Sequence, residues 1–306
     1  MPLRVLSATD LGLKRARNED SHGVWSPDDP AQRARRGTLV VVADGMGGSA
    51  AGEVASQLTV ETVLEHYPKG NGEVLDDLRA AIEAANREVN TKSRVAPELS
   101  GMGTTCTAIV IREPDAWIAH VGDSRAYLLR GGTLHQLTQD HSLVAQLVQR
   151  NQMTEEQARV DPRRNVITRS VGVAETVEID AFKLDHPLEP GDTLLLCSDG
   201  LYGQLTPEEL AGAMAVADLG EASQRLITLA NEHGGPDNIT GVLARLEPDA
   251  AASGAAARAR MVPLVLLGLL LLSVAVGVAY WLGRHSLEES RQISGGNVIE
   301  GTAACP

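Results

Sequence analysis

The sequence predicts a mixed α+β domain built on antiparallel sheet and followed by a single membrane-spanning helix. Three observations carry this expectation. Apolar runs of strand length alternate with segments of helical period. Neighbouring strand-like runs are joined by connections too short for a parallel crossover. One stretch near the C-terminus, Met261 to Leu282, has no charged residue. The chain has 306 residues, 43% of them apolar, enough for a large core in one or two domains.

The first strand expected is Thr38–Ala43, a continuous apolar run of the kind that is buried on both faces. A helix over Ser49–Tyr67 comes next, then one over Glu73–Thr91. The second repeats apolar residues at Leu75, Leu78, Ile82, Ala85 and Val89, a helical period. Strands follow at Thr104–Ile111, Ala116–Val121 and Arg125–Leu129, linked by short Glu-Pro-Asp and Asp-Ser connections. Pairing of such neighbours is antiparallel. A helix at Ser142–Asn151, a strand at Asp192–Cys197, helices at Pro207–Met214 and Glu221–His233 and a strand at Ile239–Leu246 complete a domain spanning 1–247. No internal repeat is evident.

Residues 248–260 are rich in alanine, with Ser253-Gly254, and read as a linker. The uncharged run 261–282 is about 22 residues long, which at 1.5 Å per residue crosses a hydrocarbon core of roughly 30 Å. Tyr280-Trp281 suits a membrane interface. Arg258 and Arg260 on one side nearly balance Arg284 and Arg291 on the other, so charge alone orients the span weakly. The start, Met1-Pro2-Leu3-Arg4, lacks the pattern of a signal peptide. The expectation is therefore a single-pass protein of the inner (cytoplasmic) membrane, with its main domain in the cytoplasm and a short tail, 283–306, outside.

A formal net charge of -13 argues against nucleic acid as a partner, because such a face needs a basic patch. Cys106, Cys197 and Cys305 show neither metal nor disulfide spacing, and the first two read as small core residues. His22, His66, His120, His135, His186 and His233 lack paired ligand spacing and read as structural. Gly47-Gly48 is not followed by Gly-Lys-Ser/Thr, so a nucleotide loop is not indicated.

The acidic residues are more informative. Asn18-Glu19-Asp20, Asp44-Gly45, Gly122-Asp123-Ser124, Ser198-Asp199-Gly200 and Gly235-Pro236-Asp237-Asn238 are far apart in the chain. Three of these clusters directly follow an apolar strand-like run. Carboxylates on glycine turns at strand ends serve a core poorly, but they can aim oxygen ligands into one cleft. Hard cations such as Mg²⁺ or Mn²⁺ take such ligands. Two such ions about 4 Å apart can activate water and stabilise displacement at phosphorus. An arginine is then expected for the phosphate, and Arg15, three residues before Asn18, is the candidate.

These segments resemble the metal-dependent Ser/Thr protein phosphatases of the PPM, or type 2C, family in their bacterial form. The matches are Arg15–Asp20, Val42–Gly48, Gly101–Thr105, Val121–Arg125, Leu137–Ser142, Ile167–Gly172, Cys197–Leu201 and Gly235–Thr240, in the family's order across residues 4–246. The resemblance implies a four-layer αββα sandwich, two antiparallel sheets flanked by helix pairs, with the C-terminal transmembrane helix of the anchored members. It implies that Asp44 bridges two Mn²⁺ or Mg²⁺ ions, that Gly45 offers a backbone carbonyl, and that Asp199 and Asp237 complete the set. Asp123, with Asp199, would hold a third ion in the members that have one. Glu19 would act through a metal-bound water, Asp20 would support it, Asn238 would orient Asp237 or its turn, and Arg15 would bind the substrate phosphate. A metal-bridging hydroxide would attack phosphorus without a phosphoenzyme, on phosphorylated proteins that include Ser/Thr kinases and their substrates.

Many eukaryotic relatives carry a histidine after the Asp-Gly pair, whereas this chain has Met46, whose thioether cannot donate a proton. A water near a cation is the alternative acid. Asp140 and His141 are expected to cap the helix near Ser142 and to brace its turn. Thr104 and Thr105 are expected to be strand residues with local hydrogen bonds. Ser142–Arg169, with Arg159, Arg163 and Arg164, reads either as a solvated helical hairpin or as a flap that contacts phosphopeptide. Two other functions share these features: a catalytically silent phosphoprotein-binding module, disfavoured by the intact carboxylates, and a metal-dependent nuclease, disfavoured by the net charge.

Overall fold

A computed structural model describes residues 2–47, 51–247 and 277–279. The chain divides into two compact units, Met1–Pro248 and Asp249–Pro306. In the second unit only 277–279 are described, and they are helical. The expected linker at 248–260, most of the expected span at 261–282 and the tail at 283–306 lie outside the described residues. Among the described residues no helix is long and apolar enough to cross a membrane.

In the first unit the elements run β1 (Leu3–Asp10), β2 (Asp20–Trp25), α1 (Pro30–Arg36), β3 (Thr38–Met46), α2 (Ala51–His66) and α3 (Val74–Val95). They continue with β4 (Gly103–Thr104), β5 (Cys106–Arg112), β6 (Asp115–Val121), β7 (Arg125–Arg130), β8 (Thr133–Gln136), α4 (Leu143–Gln149) and α5 (Glu155–Val160). The last are β9 (Asp180–Lys183), β10 (Thr193–Cys197), α6 (Asp199–Tyr202), α7 (Pro207–Met214), α8 (Leu219–Glu232) and β11 (Ile239–Leu246). One sheet has the order β1-β11-β10-β7-β8 and the other β2-β3-β5-β6-β9, with β4 beside β3. Every pairing is antiparallel.

Three apolar layers hold the sandwich together, and the alternation of side chains along each strand explains them. On β3, Val40 and Val42 face the other sheet and pack with Leu194, Leu196, Val242 and Ala244. Leu39, Val41 and Ala43 face the opposite way, against Ala55 and Val63 of α2 and Leu78, Ile82 and Val89 of α3. On β10, Leu195 and Cys197 pack against Leu210, Leu226 and Ala230 of α7 and α8. Helix pair, sheet, sheet and helix pair are thus the four expected layers. Strands buried on both faces read as unbroken apolar runs for this reason.

Several boundaries differ from expectation. The expected strand Thr104–Ile111 splits at Thr105, which leaves the ladder to reach Asp44. The helix beginning at Val74 runs one turn beyond Thr91, because no breaker precedes Pro97. Ser142 is itself the cap of α4, its hydroxyl accepting from Ala145 N at 3.3 Å. Asp140 instead forms a two-bond ion pair with Arg125, at 2.9 and 2.7 Å.

Candidate active site

Register places the acidic turns at one end of the sandwich. In one sheet Asp20 pairs with Asp44 across β2 and β3, and Cys106 at the start of β5 pairs with Val121 at the end of β6. In the other, Cys197 at the end of β10 pairs with Gly241 of β11 and with Arg125 at the start of β7. Each carboxylate therefore leaves its sheet at the same rim. A cavity of about 280 Å³ opens there, lined by Arg15, Glu19, Asp44, Gly45, Met46, Asp123, Asp199 and Asp237, with Asn165 and Ile167 on the flap side. Asp20 lies beneath it and is 9% exposed.

Close backbone approach lets the turns converge. A Cβ on Gly45 would meet the carbonyl oxygen of Gly52 at 2.1 Å and that of Glu19 at 2.6 Å. One on Gly200 would meet the carbonyl oxygen of Asn238 at 2.0 Å. Neither position accepts a side chain unless the turns that carry the acids part.

Hydrogen bonds then fix each turn. Thr105 Oγ1 accepts from Asp44 N at 2.8 Å, while Thr104 Oγ1 and Thr105 N both donate to Asp44 O, at 2.8 and 2.9 Å. These bonds reach some 60 residues back along the chain, so the expectation of purely local bonding is corrected. Ser198 Oγ donates to Asp20 Oδ2 at 2.7 Å and accepts from Thr240 N at 3.1 Å, tying the two sheets together. Asn238 Oδ1 accepts from Glu19 N at 2.9 Å, its Nδ2 donates to Leu11 O and Arg17 O, and its backbone N–H donates to Asp237 Oδ1 at 2.8 Å. Asn238 thus staples the β1–β2 loop, with Arg15 and Glu19, to the turn carrying Asp237. Tyr202 OH donates to Asp123 O at 3.0 Å. The roles of Ser198 and Tyr202 emerge only from these contacts. The signal for Tyr202 was its place one helical turn after Asp199.

The electrostatics are unbalanced. Burial, with Asp199 and Asp237 adding repulsion, pushes Asp20 up to about 7 although Ser198 and Thr240 hydrogen-bond its charged form. Burial and Asp199 push Asp123 up to about 8. Asp44 lies well above the usual carboxylate range through burial and the neighbouring Asp20. Asp199 is raised by burial and Asp237, and Glu19 by burial against the pull of Arg15. Among the described residues the one cation lining the cavity is Arg15, whose Nη2 donates to Asp237 Oδ2 at 2.7 Å and whose Nη1 lies 3.6 Å from Glu19 Oε2. As the side chains stand, no three His, Cys, Asp or Glu residues among the described ones gather tightly enough to hold an ion. The donor set nonetheless suits hard divalent cations: carboxylates and a backbone carbonyl, with Asp44, Asp123 and Asp199 crowded until they resist ionisation, a repulsion that positive charge relieves.

A cleft of oxygen donors at the rim of an antiparallel αββα sandwich defines a hydrolase site suited to hard metals. The sequence model of the protein phosphatase 2C family matches residues 14–233. The serine/threonine phosphatase stp of Listeria welshimeri is 39% identical over 241 residues, covering 77% of this chain and 92% of that protein. The serine/threonine protein phosphatase PstP of Mycobacterium tuberculosis is 41% identical over 244 residues, 79% of this chain and 45% of that longer protein. A crystal structure of the M. tuberculosis phosphatase PstP/Ppp superposes with a TM-score of 0.71 at 40% identity, over 80% of this chain and 99% of that one. The catalytic domain of PstP in complex with two manganese ions gives a TM-score of 0.68 at 38% identity, again over 80% and 99%. The chain belongs to the protein phosphatase 2C family and is a serine/threonine protein phosphatase.

Proposed function

We propose that the cleft is a binuclear Mn²⁺ or Mg²⁺ centre, whose ions Asp44, the Gly45 carbonyl, Asp199 and Asp237 would hold, with Asp44 placed to serve both. Asp123, beside Asp199, is suited to a third and weaker ion. Bound there, the cations supply Lewis acidity to a phosphoryl oxygen and lower the pKa of water for in-line attack. The observation that carries the reading is the excess of carboxylates over cations in one cavity, reinforced by the manganese found in PstP. Glu19 and Asp20 flank Asp44 through the Gly45 N–Glu19 O bond of 3.0 Å and the cross-strand pair. Arg15, whose side chain is 46% exposed at the mouth, offers its fork to the phosphate of a phosphoserine or phosphothreonine. Asn165 and Ile167 of the flap wall the entrance and would meet the flanking peptide. Met46 lines the cavity without a proton to give, so the leaving alkoxide takes its proton from water in the cleft. The substrates would be phosphoproteins, including Ser/Thr kinases and their targets. The uncharged run 261–282 would anchor the enzyme in the cytoplasmic membrane with its catalytic domain in the cytoplasm.

Phosphate release from a phosphothreonine peptide tests the centre. Turnover should require Mn²⁺ or Mg²⁺ and stop with a chelator; hydrolysis untouched by chelation would remove the metal reading. Carbonate extraction of membranes tests the anchor, which fails if the full chain is released at high pH.

A further inference from the structure

We propose that His141 is a positioning residue that couples the flap to the Gly122-Asp123 turn, an inference that rests on Asp123 belonging to the site. His141 is 6% exposed and stands between two sequence-distant structures. Its Nδ1 accepts from Gly122 N at 3.1 Å, and its own backbone N–H donates to Gly122 O at 2.7 Å. This two-bond clamp grips the residue just before Asp123. On the other side, the His141 carbonyl accepts from Thr168 N at 2.7 Å, next to Ile167 in the cavity wall. The base of the flap is joined to the same segment through the Ser142–Ile167 bridge and the Leu143 N–Val166 O bond of 2.8 Å. One residue therefore sets both the carboxylate turn and the base of the flap.

The ring can do this in one tautomer only. Gly122 N–H can donate, so Nδ1 must present a lone pair and Nε2 must carry the proton. Nε2 lies 3.1 Å from Asp180 Oδ2 on β9, which accepts that proton. Arg169 Nη1 donates to Asp180 Oδ1 at 2.9 Å and its Nη2 pairs with Glu178 at 3.0 Å, so the flap's last residue holds the same carboxylate. The His120 ring packs at 4.8 Å, with its own nitrogens turned to Thr107 Oγ1 and Gln139 O. Tyr202 holds Asp123 O at 3.0 Å and Thr107 Oγ1 holds Ser124 O at 2.9 Å, so release of the His141 clamp would free the turn on its Gly122 side.

Kinetics of His141→Leu and His141→Asn on p-nitrophenyl phosphate and on a phosphothreonine peptide test the proposal. Leucine fills the space without an acceptor, whereas asparagine offers Oδ1 near the place of Nδ1. In the leucine variant kcat should fall at least fivefold on both substrates, and trypsin should cut the flap at Arg150, Arg159 or Arg164 several times faster. The asparagine variant should recover most of both losses. Asp180→Ala, at a half-exposed side chain, serves if leucine prevents folding: the imidazole ¹⁵N spectrum should then lose the signature of a single Nε2–H tautomer, and kcat should fall. Unchanged kcat and flap protection in His141→Leu, or asparagine no better than leucine, would overturn the coupling. Asp123→Asn separates the failures: if it leaves kcat unchanged the site assignment falls, and if it lowers kcat while His141→Leu does not, the coupling alone falls.

Discussion

The two ends of the sandwich use charge in opposite ways. At the end away from the cleft, Asp192, Glu247 and Asp77 are each matched by an arginine. Arg130, closing β7, binds Asp192 through contacts of 3.0, 3.1 and 2.5 Å, and Arg4 meets Glu247 at 3.0 Å across the first and last strands. Arg36, just ahead of β3, pairs with Asp77 at 2.6 Å, donates to Tyr67 O and stacks on the Tyr67 ring. At the cleft end, Asp44, Asp123, Asp199, Asp237 and Glu19 line one cavity in which Arg15 is the one cation among the described residues, and it pairs with Asp237 and Glu19 alone. Matched charges brace a scaffold; an unmatched group of acids is tolerated only where something else supplies the positive charge.

The sharpest way to break this contrast is to neutralise one acid at each end. Asp44→Asn should lower kcat/KM on a phosphothreonine peptide by about 10³-fold, roughly 4 kcal/mol of transition-state stabilisation. Its metal-free melting temperature should stay level or rise, since a crowded charge has gone. Asp192→Ala should do the reverse. It leaves the Glu189 N–H without its acceptor and strips Arg130 of its two-oxygen partner, with Pro187 O and Glu189 remaining, at a cost of about 3 kcal/mol and roughly 6–12 °C in melting temperature. The kcat of its folded fraction should be unchanged. Equal loss of turnover in both variants would erase the distinction between the ends.

Proton linkage sharpens the same comparison. Asp20 and Asp123, raised to about 7 and about 8, keep protons in the metal-free fold that the unfolded chain has already released. Their contribution to stability is full below pH 4 and is lost as pH rises through 7 and 8. Buried His120 acts with the opposite sign: burial, and then His141, lower it to about 3, so its contribution is full above pH 6.5 and lost as pH falls. Between pH 6.5 and 8 only the carboxylates act. Urea midpoints in chelator should therefore fall across that window, and saturating Mn²⁺ should flatten the fall. A midpoint that rises with pH in chelator would contradict the charge excess.

What the sequence revealed follows the same physical division. Central strands such as Thr38–Met46 and Thr193–Cys197 are buried on both faces, so their apolar runs were plain. The edge strands β1, β8, β2 and β9 carry no such run. Asp20–Trp25 is Asp-Ser-His-Gly-Val-Trp and Thr133–Gln136 is Thr-Leu-His-Gln, mixed patterns that half-exposed strands allow. Asp44, Asp123 and Asp199 were legible because each follows an apolar run beside a glycine, and Asp237 because it follows Gly234-Gly235-Pro236. Their supports were not: Thr105 and Ser198 act across some 60 and 178 residues of chain, and spacing along the sequence carries no trace of such contacts. Helix caps are short-range, and the pairing of Asp140 with Arg125 shows how a long-range ion pair can override a capping residue.

Arg15 gives the smallest and most discriminating test, because it alone belongs to both accounts of the cleft. As substrate ligand, its loss in Arg15→Ala should raise KM for a phosphothreonine peptide by about tenfold, roughly 1.4 kcal/mol, with a smaller change in kcat. As the one cation among the described residues that line the cavity, it holds Asp237 at 2.7 Å, and a metal ion must compete with it for that oxygen. Mn²⁺ binding followed by calorimetry should then be as tight in the variant as in the native chain, or tighter. The metal-free variant should also unfold at lower urea near pH 7.5, where the carboxylates most need a counter-charge. Weaker Mn²⁺ binding with KM unchanged would show that Arg15 organises the acids rather than the substrate, and would move phosphate recognition to another residue of the rim.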